Sequence, residues 1–426
     1  MGIADTCIGT TKVSEMNSID NMVSFFMQVL YIRKPKCDIL GAMHPRIILS
    51  VGNFFFSIFS ALIAFILLPY LSSFMPAAYA GLVVAGSAVG AVILFPFLPR
   101  IVARYGAQKI ALTLALVEMI VLFALAAMPS AVAGILLITV TIAIQPFLAY
   151  ELDLLLEATI DDMNTTGRVR ALFRTAWSTA ALAAPLLLGA LLANSDSYGH
   201  VFLAAAAMLV PFIVLFSSRR LPEGPAPLLS HMRDTLLCIV RDRDLAAVTF
   251  GNLLLYLFYV WMPLYTPVYL HNVLGISWLN LGWMFSLMLV PYVLIEYPAG
   301  WVADRILGDK ELMLAGFLIA GGAAATLGLL TSSTSLMIIL IVLVASRIGS
   351  ALIESMIEAH FFRRVSKRDI NSVGVFRGVW PLSYIIAPIV GSLILLFGNY
   401  QLFFMLTGGF IAIAGVISTL LIKDFR

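Results

Sequence analysis

The sequence predicts an all-α, membrane-embedded chain of twelve spanning helices in two related six-helix halves. Apolar blocks of span length, a one-sided distribution of Lys and Arg, and an internal repeat carry that prediction. Of 426 residues, 61% are hydrophobic and 12% charged, where a water-soluble domain has about a quarter charged. The apolar surplus falls in blocks near the ~20 residues that cross a bilayer. Runs between polar punctuation place spans near 46–70, 77–98, 107–128, 131–156, 170–193 and 199–217 in the first half. The second half has them near 245–270, 277–300, 311–331, 334–362, 372–397 and 400–422.

Orientation follows from the basic residues. Connections such as Leu71–Pro76, Met128–Ala131 and Thr331–Thr334 contain no Lys or Arg. Every Lys and Arg except Arg347 lies at the opposite face, which the positive-inside rule makes cytoplasmic, together with both termini. The expected location is therefore the cell membrane. Four segments result: a polar cytoplasmic tail at 1–45, an N-terminal bundle at 46–217, a linker at 218–244 and a C-terminal bundle at 245–426. The tail is expected to be poorly ordered, with one amphipathic stretch from Ile19 to Ile32 suited to a membrane surface. The linker opens on Arg219-Arg220 and Pro222-Glu223-Gly224-Pro225, and a short surface helix fits around 228–240.

The repeat is read without gaps. Aligning Glu151 with Glu354 brings Phe173-Arg174 onto Phe376-Arg377, Trp177 onto Trp380 and Ala184-Pro185 onto Ala387-Pro388. Gly52-Asn53 likewise matches Gly251-Asn252, and Tyr70-Leu71 matches Tyr269-Leu270. Chance apolar likeness explains shared Leu and Ala, but not a shared Glu, Phe-Arg, Trp and Ala-Pro.

Net charge of +3 without a basic patch argues against nucleic acid. Cys7, Cys37 and Cys238 fall in the cytoplasmic segments, where thiols stay reduced, and no pair of them has metal-site spacing. No phosphate-cradling loop and no nucleophile–base arrangement appears, so neither an ATP-driven device nor an enzyme is expected, and no cofactor.

Six plus six helices in parallel repeat, with cytoplasmic termini and a charged linker, resemble the major facilitator superfamily over roughly residues 44–424. The segment Gly300-Trp-Val-Ala-Asp304-Arg305-Ile-Leu-Gly308-Asp-Lys310 is similar to that superfamily's loop signature, with one extra residue before Gly308. The first-half copy keeps Arg104, Gly106 and Lys109 and lacks the leading Gly and the Asp. Of the proline-glycine signature tied to antiporters, Ala184-Pro185 keeps only Gly189, and Ala387-Pro388-Ile-Val-Gly391 comes closer. The resemblance implies a transporter that moves a small solute by alternating access, with spans 1, 4, 7 and 10 around a mid-plane site. A monomeric, proton-coupled secondary active transporter is expected, the coupling being inferred from the carboxylates in the spans, with facilitated diffusion left open. A lipophile or drug exporter and a non-transporting sensor stay as alternatives.

An ionisable side chain inside a span costs at least ~2.5 kcal/mol on insertion scales, so each needs a reason. Arg347 falls near mid-depth of span 10, and Glu354 and Glu358 follow at i+7 and i+11, within an arc of roughly 60° on one helix face. A cation above two acids suits an anionic or zwitterionic substrate, or a proton relay; a fixed structural partner for Arg347 is the alternative. Glu151 and Glu354 are candidates both for coupling and for a gate, and Glu118 is a lone carboxylate in span 3. Gln145, Asn53, Asn252, Tyr256 and Tyr259 are further candidates for the cavity. Asp304, Arg305, Glu358, Arg174, Arg377 and Arg104 form the expected cytoplasmic gate, in which carboxylates face arginines and helix N-termini. Asp153, Glu157 and Glu296 enter the same layer. Gly81, Gly86 and Gly90 permit close helix approach.

Overall fold

A computed structural model describes residues 44–127, 130–160, 166–193, 197–224, 232–365 and 370–423. The amphipathic stretch of the tail, and the start of the linker helix expected from 228, lie outside these residues. Within the linker segment a helix covers Met232–Arg241.

The spanning helices are α1 (Pro45–Ser72), α2 (Ala77–Leu94), α3 (Ala107–Ala126), α4 (Ala131–Glu157), α5 (Thr166–Leu191) and α6 (Tyr198–Ser218). They continue with α7 (Arg243–Val268), α8 (Trp278–Arg305), α9 (Asp309–Leu327), α10 (Leu336–Arg364), α11 (Ile370–Phe397) and α12 (Tyr400–Leu421). Eleven described helices are long and apolar enough to cross a membrane. The twelfth, α5, has Arg168, Arg170, Arg174 and several hydroxyl residues in its first half, which lowers its hydropathy. Several prolines inside spans leave the helix unbroken: α4 runs through Pro146, α7 through Pro263 and Pro267, and α11 through Pro388, whereas Pro96 falls in a tight turn that ends α2.

Both copies of the loop signature are helical where a connection is expected. Helix α8 continues to Arg305, and α2 passes through a tight turn at Phe95–Phe97 into a short helix over Leu98–Tyr105. The chain then turns at a glycine with positive φ: Gly106, at 87°, caps the short helix directly, whereas α8 ends at Arg305 with Ile306 as its cap, and Gly308, at 109°, opens α9. A residue with a Cβ rarely adopts that conformation, so each turn favours glycine.

The packing repeats when α1–α6 are exchanged for α7–α12. Helix α1 packs on α5 and α6, as α7 does on α11 and α12; α3 packs on α4 and α6, as α9 does on α10 and α12. Between the halves α5 meets α8, and α2 meets α11. Repeated residues sustain this pattern. The Asn53 amide donates to the Phe173 carbonyl at 3.0 Å, tying α1 to α5, and the Asn252 amide donates to the Phe376 carbonyl at 2.9 Å, tying α7 to α11.

Among the described residues, the C-terminal half alone has a buried acid–imidazole knot at the end that bears the charged loops. Asp244, fully buried at the start of α7, accepts from the Lys423 backbone N–H at 2.7 Å and from Arg364 Nε at 3.0 Å. His360 Nε2 stands 3.3 Å from the same carboxylate, and Asp309 at the start of α9 accepts from Arg363 at 2.8 Å. The corresponding corner of the first half uses Arg46, which donates to the Thr159 carbonyl at 2.7 Å.

Candidate functional site

The two halves meet at the short-loop end through glycines. A Cβ on Gly282 of α8 would fall 2.7 Å from the Pro185 carbonyl oxygen and 2.8 Å from Gly189 Cα, both in α5. At the other seam, a Cβ on Gly81 of α2 would meet Ser392 Oγ and lie 3.2 Å from the Pro388 carbonyl oxygen in α11. Pro185 and Pro388 are the repeated prolines, so the same construction closes both seams. Ser286 adds a hydrogen bond to the Leu182 carbonyl at 2.7 Å. On the second seam, Tyr265 donates to the Pro388 carbonyl at 3.3 Å, and Trp261 to that of Ala387 at 2.8 Å. Gly86 and Gly90 have open space around them. Of the three glycines singled out in span 2, Gly81 alone lies at a seam.

At the opposite end the halves part except where Arg174 of α5 bridges to α10. On α5 the exposed residues Leu172, Thr175, Thr179 and Leu186 form one helical stripe, the face turned to lipid. Arg174 and Trp177 are also exposed, yet lie on the other side of that helix. On α11 the stripe is Leu382, Ile389, Leu393 and Leu396, and exposed Arg377 and Trp380 again lie opposite it. Exposure away from the lipid face means an opening between the halves. The repeated Arg and Trp line it from both sides.

The polar core of this opening belongs to α7, α8 and α10. Arg347 is 4% exposed, its guanidinium 5.3 Å from the centre of the Phe258 ring, and its Nε has no hydrogen-bond partner among the described residues. One turn further along α10, the Ser350 hydroxyl shares a 2.5 Å hydrogen bond with Tyr292 of α8. Tyr259 of α7 donates to Glu354 Oε2 at 2.6 Å, and Arg174 of α5 donates to Glu354 Oε1 at 2.5 Å. Glu358 approaches the same Arg174 at 3.6 Å. Tyr256, Tyr259 and Tyr292 form a chain of edge-to-face rings with centres about 6 Å apart.

The first half does not copy this wiring. Glu151, the repeat counterpart of Glu354, is fully buried with neither oxygen hydrogen-bonded among the described residues. Arg377, the counterpart of Arg174, makes no ion pair there. The cross-half pair is therefore formed on one side only. Glu118 is likewise fully buried in α3 without a partner for either oxygen among the described residues, and α3 packs on α4 and α6, away from the seams. Gln145 of α4 accepts from Ser60 of α1 at 3.2 Å. Asn53 and Asn252 are buried in their helix-to-helix ties. Arg104 and Arg305 lie over the rings of Tyr105 and Trp301. Glu157 pairs with Arg170. The side chains of Glu296 and Asp304 lie outside the described residues.

Sequence reasoning missed Phe258, Tyr292 and Ser350 around Arg347, and the acid–imidazole knot. Only the 7- and 3-residue spacings along α10 could have hinted at Ser350; nothing in the sequence links Tyr292 to it.

The sequence model of the Major Facilitator Superfamily matches residues 266–424. A point mutant of the nucleoside transporter NupG superposes with a TM-score of 0.70 at 14% identity, covering 89% of this chain and 100% of that one. NupG itself gives 0.67 at 13% identity, with 89% and 99% covered. A bacterial homolog of the human lysosomal transporter Spinster, in an inward-facing and unoccupied conformation, gives 0.70 at 14%, with 88% and 96% covered. The C-terminal half thus resembles that superfamily in sequence, and the whole chain shares the fold of these transporters. No curated protein matches it in sequence. Its many spanning helices make it a multi-pass membrane protein, and identities of 13–14% carry the fold of these neighbours and nothing of their substrates.

Proposed function

We propose that this chain is a secondary transporter that moves a small solute across the cell membrane by alternating access, acting as a monomer without cofactor or enzymatic step. The reading rests above all on one observation: a nearly buried arginine, Arg347, stands at mid-depth of α10, between glycine seams that join the halves at one end and an opening lined by repeated Arg and Trp residues at the other. Two bundles, 46–217 and 245–426, rock about that level, with the linker 218–244 between them. The charged loops and both termini face the cytoplasm by the positive-inside rule, which makes the described state inward-facing. Arg174, Glu354 and Glu358 act as a cytoplasmic gate, whose partner set Arg377 and Glu151 engages when the mouth closes. Glu151, a buried carboxyl without a counter-charge, is the candidate proton carrier that couples flux to a gradient.

Reconstitution into proteoliposomes tests this. A solute panel that includes nucleosides, the substrates named for NupG, is offered with and without an inward proton gradient. Saturable, side-dependent uptake that rises with the gradient is expected. Flux that ignores the gradient for every transported solute removes the coupling, and absence of flux for all of them counts against transport.

A further inference from the structure

We infer that the solute is a small organic monocarboxylate with an apolar body, bound with its carboxylate at Arg347. This rests on the transporter reading above and names the substrate class for that site.

Three observations converge on it. First, Arg347 is a buried cation without a counter-charge among the described residues. It is more than nine-tenths buried at mid-depth of α10, and no carboxylate of the described residues stands within ion-pair distance. A buried cation of this kind is stabilised by an anion that brings its charge into the same low-dielectric place. A guanidinium offers a planar fork that matches a carboxylate in two parallel hydrogen bonds. Second, the acids below it are spoken for. Glu354 accepts from both Tyr259 and Arg174, and Glu358 leans on the same Arg174. No acid of α10 is left unengaged to receive an ammonium group beside Arg347, which favours a monoanion over a zwitterion on this helix. Glu151 of α4 is an unengaged carboxyl of the other half among the described residues, and phenylalanine in the solute panel tests it. Third, the surroundings of Arg347 are rings and hydroxyls. Phe258 lies against the guanidinium, and Tyr259 and Tyr292 stand beside Ser350. Such walls take an apolar or aromatic body and a single polar head.

The test uses the full chain in proteoliposomes with benzoate, phenylacetate, hexanoate and lactate as monoanions. Benzamide is the neutral isostere of benzoate, phenylalanine the zwitterion, and uridine the neutral nucleoside. At least one apolar monocarboxylate should be taken up saturably, with kcat/KM at least tenfold above that of benzamide or phenylalanine. Arg347→Gln should lower that value at least tenfold, and Arg347→Lys, which keeps the charge and loses the fork, should fall between. Thermal unfolding in detergent, with and without benzoate, keeps the result readable if a variant is unstable. Stabilisation by benzoate should be present in the wild type and lost in Arg347→Gln. Uptake of uridine or phenylalanine that no monocarboxylate competes with overturns the inference and leaves the transporter reading standing. Absence of flux for every solute, together with cysteine labelling that never changes sides, overturns the reading itself.

Discussion

Replacing Gly282 with alanine adds one methyl group at the α5–α8 seam. The new carbon would sit 2.7 Å from the Pro185 carbonyl oxygen and 2.8 Å from Gly189 Cα. Non-bonded carbon atoms settle at about 3.5–4.0 Å, so the helices must separate locally by about 1 Å. Both obstacles are backbone, and no side-chain rotation relieves them. Overpacking of this kind costs about 1–3 kcal/mol. The cost arises only while the seam is closed, so it acts as a difference between the two conformations and shifts their ratio by about 5- to 150-fold. Gly81→Ala should do less, because its nearest obstacle is the Ser392 hydroxyl, which can turn away. A single cysteine at Ser286, in a background with Cys7, Cys37 and Cys238 replaced by serine, reports the seam. An impermeant maleimide added from the short-loop side should label it faster in Gly282→Ala by that ratio, while Gly86→Ala, in open space, should change nothing. Equal labelling rates in Gly282→Ala and the parent would refute the argument that these glycines hold the seam shut.

Tyr259→Phe removes one of the two donors to Glu354; a hydrogen bond to a charged acceptor contributes about 1.5–3 kcal/mol, so kcat/KM should fall roughly tenfold or more. Unaltered transport kinetics would take Tyr259 out of the working site. His360→Ala strips a partner from fully buried Asp244 and should cost about 3 kcal/mol, read as a lower unfolding temperature in detergent. An unchanged transition would mean that Arg364 and the Lys423 amide satisfy Asp244 alone. Asp242 caps α7 by accepting from the Asp244 and Leu245 amides. Its partial burial raises its pKa, but those amides, Arg364 and Lys423 outweigh it and hold the carboxyl below its ordinary value. A depressed carboxyl stabilises the fold above its unfolded value near pH ~4 and loses that contribution as pH falls through the lower folded one. Asp242→Ala should therefore cost about 1 kcal/mol at neutral pH, with the gap to wild type closing below about pH 3. A gap that persists in acid would contradict this.

Most of the fold is legible from the chain because lipid imposes a simple grammar. Backbone groups must be satisfied within each span, so helix length and loop charge are written as runs of residues, and α4, expected near 131–156, is observed at Ala131–Glu157. Where the reading fell short, a single torsion decided the matter. The segments up to Tyr105 and Arg305 carry polar residues and read as connections, yet they stay helical, and the chain turns at Gly106 and at Gly308 just beyond them. The site was legible as a roster and not as a wiring diagram. The α10 stripe of Arg347, Glu354 and Glu358 follows from 100° per residue, but which acid meets which arginine depends on how two halves approach. No periodicity within one helix encodes that Glu354 is held by α5 and α7 while Glu151 is held by nothing described. The same limit applies to Asn53 and Asn252. Their repetition is visible in the sequence, whereas their partners, the Phe173 and Phe376 carbonyls, are backbone atoms that no side-chain pattern announces.

Those two amide ties bear on how force would travel. Each clasps the carbonyl one residue ahead of an arginine, so Arg174 is leashed to α1 and Arg377 to α7. A pull on either guanidinium from across the mouth is delivered to a pair of helices instead of bending one. The duplicated asparagine thus gives each half a stiff handle. A gate contact that breaks at the rim then lets go of an entire bundle at once.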